Sequence, residues 1–196
     1  MIISKDRLKT FSVFWILVSV YFLIPFIVES MSPPVWFYSL DRSIPFVWWM
    51  IIPYYSYYIL ILIPPIIIKE EEKIIALTKT LIQASIVCYI TYLIRPITSS
   101  NALALVRPNP LSFMHNFITF DYLHQNALPS MHVSVAVIIG LAISLYNKKY
   151  TGLMLFMILL IFLATFLIKQ HYLIDSITGL ILGYIGFIRY KHLTSI

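Results

Sequence analysis

Residues 151–168 read TGLMLFMILLIFLATFLI, and residues 169–175 follow at once as KQHYLID. The first stretch carries no charge; the second carries Lys169, His171 and Asp175 within seven positions. About 20 mainly apolar residues span the hydrocarbon of a bilayer. A run of this length that closes on charge predicts a helix that crosses the bilayer and then surfaces. It surfaces onto a histidine and an aspartate four positions apart, which open a further apolar run over 171–188.

Working outward, runs of the same kind lie at 11–29, 47–68, 74–94 and 130–147. With 151–168 and 171–188 they predict an all-α, polytopic membrane helix bundle with six transmembrane helices. The whole chain, 1–196, then forms a single membrane domain, with N-terminal helices across 11–68. Composition agrees: 60% of residues are hydrophobic and 11% charged, against about 25% charged in soluble domains. Mean hydropathy is +0.88. Soluble globular and disordered classes are excluded. The net charge of +6 reads as topology rather than as a nucleic-acid surface, so no nucleic-acid partner is expected. Cys88 is the single cysteine and forms no intrachain disulfide. Five glycines are few, so close GxxxG-type helix packing is not expected to dominate. The first run follows Lys5, Arg7 and Lys9 but offers no small-residue cleavage site, and reads as a retained anchor.

Six spans put both termini on one side. Of the fourteen Lys and Arg residues, all but Arg42, Arg95, Arg107 and Lys169 fall at the termini or the even-numbered loops. The positive-inside bias places the termini in the cytoplasm. The expected location is the cytoplasmic (inner) membrane, multi-pass, with the outward loops on the periplasmic side. Residues 30–46, with Pro33, Pro34, Trp36, Phe37 and Tyr38, suit the interface. Residues 95–128 form the one long loop, rich in Phe, Leu and His, where lids and binding segments tend to occur.

Two polar clusters fall on the outward side, where intramembrane ionisable groups are usually functional. Leu128-Pro129-Ser130-Met131-His132 opens the fourth run, with Pro129 suited to a first helical turn. Free amides and the helix dipole there attract anions; Ser130 adds a hydroxyl and His132 a titratable ring. In the second cluster, His171 and Asp175 share one helix face, and the carboxylate fixes the imidazole tautomer. Arg95-Pro96 and Arg107-Pro108 lie on the same side. Two histidines, a carboxylate, a serine and up to three cations suit phosphoryl transfer. Zinc held by His132, His171 and Asp175 is the chemical alternative, opposed by the nearby Arg and Lys. Tyr54, Tyr55, Tyr57 and Tyr58 read as packing within the second run. His115, Asp121 and His124 read as surface or lid residues.

R-P at 95–96, P-S-x-H at 129–132 and H-x-x-x-D at 171–175, in that order across six spans, resemble the type 2 phosphatidic acid phosphatase (PAP2) superfamily. The resemblance covers roughly residues 88–186, and implies a catalytic core at about 74–188. It implies that His171 attacks phosphorus and becomes a phosphohistidine, that His132 protonates the leaving group, and that Asp175 orients the nucleophile. Ser130 and Arg95 are then phosphate-binding, and neither metal nor cofactor is used. The chain departs from the family pattern in three places. Cys88 stands for a lysine seven residues before the Arg, Ala164-Thr165 for Ser-Arg before the second His, and Met131 for glycine. Lys169 looks like a substitute cation, with Arg107 a further phosphate candidate. K-x-H-Y-x-x-D in this form is similar to the inositol phosphorylceramide synthase-like branch.

The expectation is therefore a membrane lipid phosphatase acting on a lipid phosphate or diphosphate, with its site facing the outer side. A lipid phosphotransferase passing a phosphoryl headgroup to an alcohol is the alternative, and a non-enzymatic lipid transporter a third reading. The partners expected are the lipid phosphate and the bilayer; oligomeric state stays open.

Overall fold

The computed structural model describes residues 4–99, 108–118, 125 and 127–195. Among these the secondary structure is helical, apart from one isolated parallel bridge between Met31 and Ile97. The helices are α1 (Lys5–Ser19), α2 (Val35–Arg42), α3 (Ile51–Leu60), α4 (Pro64–Ile67), α5 (Glu71–Ile94), α6 (Ser112–Ile118), α7 (Met131–Tyr146), α8 (Thr151–Leu167) and α9 (Leu173–Leu193).

Four segments are long and apolar enough to cross a membrane: Lys5–Phe26, Glu71–Ile94, Lys148–Leu167 and Leu173–Leu193. Two of the six expected spans fall short of that length. The run at 130–147 becomes α7, a helix of 16 residues that would reach about 24 Å at 1.5 Å per residue. The run at 47–68 is broken into a 3-10 turn at Trp48–Met50, then α3, then α4. Proline is the reason: it lacks a donor and clashes with the preceding turn, so it sits where helices begin. Pro53 lies in the first turn of α3, and Pro64-Pro65 start α4. The same logic ends α1 early, the chain passing through two 3-10 turns around Pro25. The interfacial stretch 30–46 contains a helix of its own, α2.

The centre of the bundle is α7, almost wholly buried from Met131 to Ser144 and packed on α9, α8, α5 and α3. Its tightest seam is with α9, and this corrects the expectation drawn from glycine number. Gly179 and Gly183, in a GxxxG spacing, face Ser130 and Ser134 of α7. A Cβ built on Gly179 would stand 2.5 Å from the Ser130 carbonyl oxygen; one on Gly183 would stand 2.8 Å from that of Ser134. Small residues let two backbones approach where lipid supplies no hydrophobic drive between helices. Five glycines suffice because spacing, not abundance, makes the seam.

Charge segregates by end. At one end Arg7 donates to the carbonyls of Pro65 (3.1 Å) and Ile68 (2.9 Å), and the Lys69 amide donates to the Tyr146 hydroxyl (3.2 Å). At the other end lie the C-termini of α5 and α8 and the N-termini of α7 and α9, which carry the sequence motifs.

Candidate active site

The two motif clusters meet because the backbone ties them together. Ser130 caps α7, its hydroxyl oxygen accepting the Val133 amide at 3.4 Å. Pro129 stands one residue before that cap, outside the first turn. The Ser130 amide donates to the Asp175 carbonyl at 2.9 Å, which pins the start of α7 to the first turn of α9. On the other flank the Tyr92 hydroxyl, from α5, donates to the Pro129 carbonyl at 2.7 Å.

The loop from α8 to α9 is equally constrained. Helix α8 ends with the amides of Gln170 and His171 both donating to the Thr165 carbonyl, at 3.1 and 3.0 Å. Lys169 takes a left-handed conformation, φ 64°, usual for glycine or asparagine at a helix C-terminus and costly for other residues. Its side chain explains how the conformation is held. The ammonium donates to the carbonyls of Asp41 (2.7 Å) and Ile44 (2.9 Å) and lies 3.2 Å from the Asp41 carboxylate. Both side chains of the pair are over 90% buried. Lys169 thus fastens the loop to α2, and the T-shaped stack of Phe37 on Tyr172 (5.8 Å) adds to the joint.

His171 follows directly. Its Nδ1 lies 3.1 Å from the Ala127 carbonyl and 3.7 Å from Asp175 Oδ2. Both are acceptors, so Nδ1 carries the hydrogen and Nε2 keeps its lone pair. Ala127 is the nearer partner, a contact that the spacing of four does not reveal. Asp175 Oδ2 also accepts the Tyr172 amide at 2.8 Å, which caps α9 and aims the carboxylate back at His171. The His132 ring lies 5.7 Å from that of His171, centroid to centroid, and its Nε2 is 2.9 Å from the Tyr54 hydroxyl.

Both histidines line a cavity of about 120 Å³. Its walls are largely aromatic and apolar, with Tyr21, Phe22, Tyr54, Tyr57, Tyr58 and Met131, while Ser99, Gln125 and Gln170 add polar groups. Small-molecule sites are commonly apolar cavities with a few convergent polar groups.

The structure therefore brings His132, His171, Asp175 and Ser130 together. It places Arg95 at the C-terminus of α5 with an exposed side chain, away from the described cavity lining. Lys169 is turned to Asp41. Arg107 lies outside the described residues, as do Asp121 and His124. The positions where the chain departs from the family's lysine and Ser-Arg are filled by core packing: Cys88, Ala164 and Thr165 are fully buried, and the Thr165 hydroxyl bonds that of Ser176 at 2.8 Å. Among the described residues, no group of three His, Cys, Asp or Glu side chains is arranged to hold a metal ion. His115 is buried rather than on the surface. Its Nε2 bonds the Trp48 carbonyl at 2.9 Å, and desolvation holds its pKa below the ordinary histidine value.

Tyr54 is the residue that reading the sequence as packing misses. The available signal was chemical: a run of tyrosines in an aliphatic span must place its hydroxyls against partners. Tyr54 does so on His132 and Tyr55 on the Met114 carbonyl, while Tyr54, Tyr57 and Tyr58 all line the cavity, with the Tyr57 ring 4.5 Å from that of His132.

Residues 31–188 match the sequence profile of the PAP2 superfamily. The match reaches well N-terminal of the motifs, across α2 and α3. No curated protein and no solved structure matches the chain. The chain belongs to the PAP2 superfamily, which gives it a phosphatase-type or related phosphoryl-transfer function in a membrane setting.

Proposed function

We propose that this PAP2 superfamily chain is a membrane lipid phosphatase that removes a phosphate from a lipid phosphate or diphosphate through a phosphohistidine on His171. The observation that carries the reading is the orientation of His171. Its Nδ1 hydrogen is committed to Ala127 and Asp175, so Nε2 keeps its lone pair on a ring that lines the cavity 5.7 Å from that of His132. In the first step a bond forms from Nε2 to phosphorus while the bond from phosphorus to the lipid oxygen breaks. His132 gives its proton to that oxygen, which leaves as an alcohol, or as a lipid phosphate when the substrate is a diphosphate. In the second step water attacks phosphorus, His132 takes a proton from it, and phosphate leaves His171.

Charge on the phosphoryl oxygens needs donors in place. The first amides of α7 and Ser130 at its cap are the proposed donors, with Arg107 as the proposed cation; Arg95 would have to turn from its exposed position at the end of α5 to take part. Lys169 is better suited to holding the loop that carries His171 than to meeting phosphate, since its ammonium has three oxygen partners already. We place the site on the outer face of the cytoplasmic membrane with the termini inside, on the segregation of Lys and Arg by end. Phe113 and Phe117 of α6 are strongly exposed and suit contact with acyl chains.

One observation favours transfer to an alcohol instead of water. The cavity walls are mostly apolar, and such a site disfavours bulk water and admits a lipid acceptor. The test is phosphate release by purified protein from phosphatidic acid, phosphatidylglycerol phosphate, a polyprenyl diphosphate and a lipid A phosphate. Release that vanishes in His171→Ala supports the reading; release that persists overturns it. A new lipid formed at the expense of phosphate when alcohols are added selects the transferase.

A further inference from the structure

His132 is held by aromatic neighbours. Tyr54, on α3, is 3% exposed, and its hydroxyl lies 2.9 Å from His132 Nε2. Its ring is tilted against the imidazole at 4.9 Å, while those of Tyr57 and Tyr58 close in at 4.5 and 6.4 Å. The remaining ring neighbour is His171 at 5.7 Å. The imidazole therefore has Nε2 fixed by a phenol on a different helix, 78 positions away in sequence, and among the described residues no hydrogen bond on Nδ1.

We propose that Tyr54 is a positioning residue for His132, holding Nε2 so that the proton passed to the leaving oxygen comes from Nδ1. This deepens the phosphatase reading and rests on it. In the charged ring, Nε2–H donates to the phenol oxygen and Nδ1–H faces exchange. When the phosphorus–oxygen bond breaks, its electron pair stays on the lipid oxygen and takes the Nδ1 proton. The ring is left neutral, with Nε2–H still on Tyr54. The water that follows returns a proton to Nδ1. Throughout, the phenol keeps its own hydrogen, and its oxygen stabilises the charged ring.

The prediction is a dependence on leaving group. Dodecyl phosphate expels an alkoxide, which needs a proton; a dodecyl-nitrophenyl phosphate of similar tail expels a stable phenolate, which does not. Tyr54→Phe keeps the ring and loses the hydroxyl. It should lower kcat for dodecyl phosphate about tenfold, the effect of one lost charge-assisted hydrogen bond. The single-turnover burst of nitrophenolate, which precedes the water step that both esters share, should change by less than about twofold, as should KM. His132→Ala should show the same pattern more strongly. Tyr55→Phe, whose hydroxyl bonds the Met114 carbonyl at 3.1 Å, should resemble the parent. Equal slowing of dodecyl phosphate turnover and of the nitrophenolate burst by Tyr54→Phe, or of neither, overturns the proposal.

Nitrogen NMR of histidine-labelled protein reads the same contact without turnover. Tyr54→Phe should shift Nε2 of His132 and leave His192 unmoved; an unmoved His132 overturns the proposal whatever the activity. No phosphate release by the parent together with a moved His132 overturns the phosphatase reading and upholds the hold of Tyr54 on His132.

Discussion

Gly179→Ala adds one carbon at the seam between α7 and α9, and the structure sets what it meets. The new Cβ would stand 2.5 Å from the Ser130 carbonyl oxygen and 3.1 Å from the Cβ atoms of Ser130 and Val133. Cβ atoms essentially never approach closer than 3.0 Å, so the helices must part by about half an ångström at this level. The obstructing atom is backbone and cannot rotate away. Overpacking of this kind costs about 1–3 kcal/mol, offset by about 1 kcal/mol from the better helix propensity of alanine. The functional loss should exceed the stability loss, because the strained contact lies beside the Ser130–Asp175 backbone bond that aligns the two motifs. Misplacement by about 1 Å can cost about a hundredfold in rate, so about tenfold is expected here.

The other glycines supply the controls. Gly186→Ala meets side chains alone, Ile138 Cδ1 at 2.6 Å and Cγ1 at 2.9 Å and Thr80 Cγ2 at 3.5 Å, which can shift, and Gly152→Ala meets nothing within 4 Å. Thermal unfolding in detergent and phosphate release should therefore rank Gly152→Ala near the parent, Gly186→Ala close behind, and Gly179→Ala last. A Gly179→Ala protein as stable and active as Gly152→Ala would refute the claim that this seam sets the site.

Asp41→Asn leaves the Lys169 ammonium buried without its counter-charge and should lower stability by about 3–5 kcal/mol, whereas Asp41→Leu with Lys169→Met together should recover most of it; thermal unfolding of the single and double variants checks this. Tyr92→Phe strips the Pro129 carbonyl of its donor and should cost about 1–3 kcal/mol, measured the same way, with Thr91→Val as an exposed comparison whose hydroxyl serves only its own helix.

Hydropathy located most of the helices because it reports burial of side chains. The runs at 74–94, 151–168 and 171–188 reappear as α5, α8 and α9 with ends moved by a few residues. It does not report where a backbone breaks, so 47–68 looked continuous although Pro53, Pro64 and Pro65 divide it. Local spacing likewise put His171 and Asp175 on one face, and the structure keeps them 3.7 Å apart. The partners that complete the arrangement are not local. Asp41 meets Lys169 across 128 positions and Tyr54 meets His132 across 78. No periodicity encodes such pairs, which is why Lys169 read as a phosphate ligand and Tyr54 as packing.

The joint between α2 and the α8–α9 loop bears on the order in which the molecule is made. Helices enter a membrane from the N-terminus as synthesis proceeds, so Asp41 is in place long before Lys169 emerges. Until then its carboxylate has no cation from the loop, and the loop has no anchor for its left-handed turn. A chain cut between α4 and α5 would keep every motif residue yet lack both Asp41 and Tyr54. Supplying the missing half as a separate polypeptide is then a complementation problem: activity should return only when α2 and α3 insert beside the motif half.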